Sequence, residues 1–296
     1  PHRDLCGDLT AAVKDAGLKM GFYFSFYEWF NPIYNSDVDR YVEEHMLPQL
    51  TDLVMKYEPD LVWPDGEWEH PSATWRSTEF LAWLFNESPV KDTVAVNDRW
   101  GKDCRGQHGG FYTTEYQPDQ GKDMDRKWEE CRGIGHSFGY NRNENRDNYD
   151  TPDTLIERLV DIVAHGGNLL LDIGPTADGR IPVIMQERLL QMGEWMDVNG
   201  EAIYGTQPWR VTSDNDRLYY TAKAGAVYAI ALDWPEGSLT LNNVKPTDAA
   251  TVQLLGHDGN LEWERTDDGM TIHVPALSVE TTPTHWAHVF KLMGVE

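Results

Sequence analysis

The chain has 296 residues, 40% of them hydrophobic, and 49 acidic against 25 basic side chains give a formal net charge of -24. That balance excludes nucleic acid and anionic membrane surfaces as partners, because phosphate binding needs clustered cations, and it favours a neutral ligand. Three cysteines (Cys6, Cys104 and Cys131) are odd in number and lack metal-type spacing, so neither a disulfide framework nor a structural metal is expected.

No apolar run approaches the roughly 18 residues that span a bilayer, and a mean hydropathy of -0.56 reads as a soluble protein. The first residues carry no secretory leader pattern and read as the interior of a longer chain, so the compartment stays open. Leu5, Leu9, Ala12, Val13 and Ala16 form one apolar helical face, with Gly17 placed to stop it. A strand over 20–25 follows. Next comes a helix through Tyr41, Leu50, Leu53, Val54 and Tyr57, which Pro48 bends or interrupts.

Leu61-Val62-Trp63 is a short apolar run between proline and glycine, the signature of a buried strand, and Asp65 arrives where it should end. Residues 77–86 read as a helix and 93–98 as a third strand ending in Asp98. Residues 101–136 read as irregular, with a short hairpin at 110–116. A fourth strand is expected at 137–141, a helix through Leu155, Leu159, Ile162 and Val163, a fifth strand at 168–173, and a helix through Met185, Leu189, Met192 and Met196. This alternation implies a parallel sheet clad in helices. Past Trp209 short strands separated by Gly, Asn, Asp and Pro turns imply an all-β sandwich, so the expected division is 1–205 and 206–296.

In parallel α/β folds, sites are built at the carboxyl ends of strands. Asp65, Glu67 and Glu69 gather at one such end, and Glu115 lies on the long loop further on. Two carboxylates on separate loops are the equipment of glycoside hydrolysis: one attacks or orients water, the other gives a proton to the leaving oxygen. Trp63, Trp68, Trp75, Trp100, Tyr112, Tyr116 and Phe138 are expected around these ends, where aromatic faces pack on the C–H faces of sugars. His108 and His136 lie far apart with no His-Glu-x-x-His run, and the glycine pairs lack a dinucleotide-site context, so no metal or cofactor is expected.

Five segments carry a resemblance: Leu61-Val62-Trp63-Pro64-Asp65-Gly66-Glu67-Trp68, Val96-Asn97-Asp98-Arg99-Trp100-Gly101, Ser137-Phe138-Gly139-Tyr140-Asn141-Arg142, Gly166-Gly167-Asn168-Leu169-Leu170-Leu171-Asp172-Ile173-Gly174-Pro175 and Asn199-Gly200-Glu201-Ala202-Ile203-Tyr204. In order and spacing they resemble the α-L-fucosidases of glycoside hydrolase family 29. The resemblance implies an eight-stranded (β/α) barrel followed by a C-terminal β-sandwich, acting as a retaining exo-glycosidase on terminal α-L-fucose. Asp65 is then similar to the nucleophile, and Glu115 to the general acid/base, with Glu129 a second candidate for that role. Trp63, Arg99, Phe138 and Tyr23 match positions that surround the sugar.

About five of the eight barrel strands are legible. The family's first three strands and its paired sugar-binding histidines have no counterpart in the sequence. A barrel open in this way leads to an expected homo-oligomer joined through its exposed strand edges. It also leaves a competing reading, a sugar-binding or scaffold protein with lost or weak activity. Hydrolysis of a related sugar such as galactose is a third.

Overall fold

The computed structural model describes residues 3–122 and 125–296. The first half alternates helices and strands: α1 (Leu5–Asp15), β1 (Gly21–Ser25), α2 (Pro32–Ser36), α3 (Val38–Tyr41), α4 (Leu47–Tyr57), β2 (Leu61–Asp65), α5 (Ser77–Asn86), β3 (Ala95–Val96), β4 (Tyr112–Glu115) and α6 (Pro118–Lys122). Then follow β5 (Trp128–Gly133), α7 (Pro152–Ala164), β6 (Gly167–Asp172) and α8 (Val183–Asn199). The remainder is all strand: β7 (Gln207–Asn215), β8 (Leu218–Lys223), β9 (Ala226–Ala231), β10 (Ser238–Leu241), β11 (Pro246–Leu254), β12 (Trp263–Arg265), β13 (Met270–His273) and β14 (His288–Val295). No helix among the described residues is long and apolar enough to cross a membrane.

The chain forms two compact units, Pro1–Thr113 with Asp125–Lys127 and Thr114–Met124 with Trp128–Glu296. In the first, β1, β2 and β3 make a parallel sheet in that order, with Gly21 opposite Leu61 and Leu61 opposite Ala95. Side chains alternate along each strand, so Phe24 and Val62 face the helices. There they join Leu50 and Val54 of α4 and Phe80 and Leu84 of α5 in one buried cluster. Each such side chain contributes roughly 1.5–3 kcal/mol of burial. Between α3 and α4 the helix loosens into a π turn over Val42–Met46, where the Leu47 N–H donates to the Val42 carbonyl. Pro48 sits in the next turn and has no N–H to offer, which is the interruption the sequence announces. α4 ends at Glu58 in the left-handed conformation (φ 47). Pro59 follows and the chain is released into β2.

In the second unit the strands β4, β5 and β6 form a sheet in that order, β5 and β6 parallel with Trp128 opposite Gly167. The C-terminal strands form two antiparallel sheets, β11-β14-β9-β8-β7 and β10-β13-β12. Leu218, Tyr220, Val252, Ile272 and Phe290 fill the space between them, the core of the expected sandwich. The outer face of the larger sheet packs Tyr219, Tyr228 and Ile230 on Ile156 and Val160 of α7 and Trp195 of α8. The Trp195 indole donates to the Ala287 carbonyl at 2.9 Å.

Three local expectations differ from the structure. The third strand is only Ala95–Val96. Residues 137–141 form a loop, and the strand expected there lies earlier, as β5, inside the stretch read as irregular. The described chain therefore shows six strands in the two barrel-type sheets.

Candidate active site

Asp65 closes β2 on the same face as Trp63, with Tyr23 beside Trp63 and Ser25 beside Asp65 on the parallel neighbour β1. Its two oxygens have different donors. The Tyr23 hydroxyl donates to Oδ2 at 2.8 Å and the Arg99 guanidinium to Oδ1 at 2.7 Å. Burial, then the adjacent Asp65 charge, raises the Tyr23 pKa well above the ordinary phenol range, so its proton stays in place as a donor at neutral pH.

Arg99 is 1% exposed at its side chain while Asp65 is 14% exposed, so the cation lies inside and the carboxylate reaches outward. Two further contacts fix the guanidinium, and one of them is itself anchored. Its Nε donates to the Thr113 hydroxyl at 2.9 Å, that hydroxyl donates to Asp98 at 2.7 Å, and the guanidinium carbon lies 4.3 Å from the Trp63 ring centre. Asn97 ties this segment to β2: its amide donates to the Pro64 carbonyl and its oxygen accepts the Arg99 N–H, both at 3.0 Å. A planar fork with several donors is the side chain that can meet all these partners at once.

Glu67, two residues beyond Asp65, is 1% exposed. Its Oε1 lies 3.1 Å from Arg105 Nε, and Arg105 Nη2 lies 3.9 Å from Asp65. Burial raises the Glu67 pKa, and its Oε2 is enclosed with no hydrogen-bond partner among the described residues. Glu69 instead accepts from the Tyr34 hydroxyl at 2.5 Å. Trp75 and Trp100, expected around the strand ends, belong to the buried core, and the Trp75 indole donates to the Glu67 carbonyl at 3.0 Å. Trp68 does stand at the surface.

In the second unit Glu115 is the last residue of β4 and partly buried. Tyr116 follows in the left-handed conformation, its hydroxyl accepting the Gly133 N–H at 2.9 Å. That turn sets the Tyr116 ring 5.3 Å from Phe138, with the Arg132 guanidinium 4.9 Å over it. The loop carrying Phe138 runs so close to Gly174 that a Cβ there would lie 2.2 Å from the Tyr140 nitrogen, so only glycine fits. Glu129 sits near the opposite end of its strand, second of the six residues of β5. Its neighbour Glu130 is wholly buried, accepting from the Thr114 hydroxyl and lying 3.6 Å from Arg132.

The structure thus assembles Tyr23, Trp63, Asp65 and Arg99 around one carboxylate, and sets Phe138 against the residue that follows Glu115. Sequence reasoning did not single out Thr113 or Arg105 as partners of this group. Only the alternation along β4 and a charged loop hinted at them.

The rat tissue α-L-fucosidase is 45% identical over the whole of this chain and the human tissue enzyme 44%. The chain spans about two thirds of the length of these curated relatives, 66% of each. The Thermotoga maritima α-fucosidase solved with a mechanism-based inhibitor superposes with a TM-score of 0.80 at 34% identity, covering 99% of this chain and 69% of that one. The α-L-fucosidase isoenzyme 1 of Paenibacillus thiaminolyticus has the same fold, with a TM-score of 0.82. Residues 1–201 match the α-L-fucosidase family model and residues 212–293 that of the α-L-fucosidase C-terminal domain, and the chain belongs to the α-L-fucosidase family.

Proposed function

We propose that this protein removes terminal α-L-fucosyl groups from neutral glycans with retention of configuration. Asp65 is the nucleophile and Glu115 the general acid/base. The observation that carries this is the Asp65 carboxylate itself, placed at a strand's carboxyl end and gripped on one oxygen by a buried guanidinium and on the other by a phenol. Asp65 attacks the anomeric carbon while Glu115 gives its proton to the departing oxygen, leaving the sugar as an ester on Asp65. Water then attacks the same carbon, Glu115 takes its proton, and Asp65 is freed. Arg99 steadies the carboxylate as its charge is spent and restored. Trp63 and Phe138 supply apolar walls, which suits a sugar whose sixth carbon is a methyl group. Glu115 is preferred over Glu129 because it ends its strand, whereas Glu129 lies near the start of its own.

A fluorinated fucosyl fluoride that stalls at the ester stage, followed by peptide mass mapping, tests the assignment. A label on Asp65 and a first product of unchanged anomeric configuration by NMR are expected. A label elsewhere, or an inverted product, overturns the reading. Asp65→Gly should lose all measurable turnover while keeping the circular dichroism of the parent. The division at residues 205/206 into a catalytic portion and a sandwich belongs to the same proposal. So does self-association through β1 and β6, each one of the two outer strands of its sheet among the described residues. A monodisperse monomer in light scattering would reject the latter.

A further inference from the structure

Strand β5 carries a charged pair where a core strand is ordinarily apolar. Glu130 is wholly buried, and Arg132, two residues on and on the same face, is 8% exposed. Glu130 Oε1 and Arg132 Nη1 lie 3.6 Å apart, and neither Glu130 Oε1 nor Arg132 Nε has a hydrogen-bond partner among the described residues. Hiding two charges from water costs more than so loose a contact returns, and a well-packed apolar pair of the same size would hold the strand as well or better. Stability therefore does not account for the pair. Its other contacts lead to the two residues that flank Glu115.

On one side the Thr114 hydroxyl donates to Glu130 Oε2 at 2.5 Å, and Thr114 is itself buried. On the other, the Arg132 guanidinium stands 4.9 Å over the Tyr116 ring, and the Tyr116 hydroxyl accepts the N–H of Gly133, the residue after Arg132. Tyr116 is left-handed at φ 52, a conformation that a bulky residue keeps only where its surroundings impose it. Side chains alternate along β4, so Glu115 projects from the face opposite Thr114. We propose that Glu130 and Arg132 are positioning residues: by gripping Thr114 and Tyr116 from behind, they fix the direction in which Glu115 presents its proton to the leaving oxygen. This rests on the reading of Glu115 as the general acid/base, through which both residues act without meeting the sugar themselves. A general acid serves only an atom within its hydrogen-bond reach, and a displacement of about 1 Å can cost about a hundredfold in rate.

The test compares a substrate that needs a proton with one that does not. The phenolate of 2,4-dinitrophenyl α-L-fucoside departs unprotonated, whereas the alkoxide of a fucosyl-galactoside disaccharide must receive a proton as it leaves, and kcat/KM reports this first step alone. In the double variant Glu130→Met/Arg132→Leu, the ratio of kcat/KM on the aryl fucoside to that on the disaccharide should rise by about tenfold or more, with a melting temperature level with the parent or higher. Thr114→Val should raise the same ratio, and Thr114→Ser, which keeps the hydroxyl, should hold it within about twofold of the parent. Should the double variant not fold, the two Thr114 variants decide alone. An unchanged ratio in Thr114→Val, or an equal fall on both substrates, makes the pair merely structural and overturns the inference. Glu115→Ala separates the two readings. A ratio raised there but in none of the other variants overturns only the positioning role, whereas a ratio left at the parent's value removes Glu115 as the acid and this inference with it.

Discussion

His288 opens β14 at 7% exposure, with the Trp234 ring edge-on at 4.8 Å. Its Nδ1 is enclosed without a hydrogen-bond partner among the described residues, so a second proton on the ring would be stranded away from water. Burial, and then the nearby His285, lowers its pKa from 6.5 to about 4, against an opposing pull from Asp233. The folded protein thus keeps His288 neutral where the unfolded chain binds a proton. Its stability is intact above pH 6.5 and falls as the pH drops from 6.5 to about 4. A difference of about 2.5 units at about 1.36 kcal/mol each comes to about 3 kcal/mol. Urea unfolding followed by circular dichroism at pH 7 and pH 4 measures it in the parent and in His288→Phe. The parent should lose about 3 kcal/mol more than the variant over that interval. Equal losses, within about 0.5 kcal/mol, would show that His288 is protonated in the folded state and that the burial argument is wrong.

Arg99→Met leaves the Asp65 charge without its guanidinium and should cost about 3–5 kcal/mol in urea unfolding; a loss below about 1 kcal/mol would mean the pair is dispensable. Arg99→Lys should restore little of this, because one ammonium cannot reach both Asp65 and Thr113 as Arg99 does. For Glu67, burial raises the folded pKa above 4.5, so the parent loses stability as the pH rises through that value and on to the folded one. Glu67→Gln should therefore equal or exceed the parent in melting temperature at pH 7 and lose that advantage by pH 4; a variant less stable at pH 7 contradicts this. Gly174→Ala pushes a methyl group into the Tyr140 backbone and should displace the Phe138 loop. A KM for a fucoside raised several-fold is expected from losing one apolar wall, and an unchanged KM would separate that loop from the sugar.

Helices α1, α5, α7 and α8 were legible because their apolar residues repeat at helical spacing, a signal carried by neighbours in sequence. Strand β5 was not. Its Trp-Glu-Glu-Cys-Arg-Gly reads as a polar loop, yet both Glu130 and Arg132 are buried, Glu130 against Arg132 and the Thr114 hydroxyl. An ion pair hides a core strand from any pattern based on hydropathy. The converse error occurred at 137–141, where aromatic residues suggest a strand but Phe138 serves by contacting Tyr116 across a loop. Asp65 could be placed at a strand end from local signals alone. Arg99, at the end of the next expected strand, could be offered as a partner for it, but the Tyr23 hydroxyl could not be foreseen as a donor from 42 positions away. Tryptophan counting also misled: Trp75 and Trp100 are core, while Trp29 and Phe30, bare at the surface, drew no notice.

The loosened turn at Val42–Met46 has a bearing on how this chain tolerates change. Lengthening or shortening β2 by one residue would swap its two faces, sending Asp65 to the helix side and Val62 into the open. A helix has no such odd-or-even constraint, and a single widened turn can store one surplus residue without moving its ends far. The segment ahead of β2 thus works as slack in the line. Additions and losses can accumulate there, upstream of a strand whose count must stay fixed.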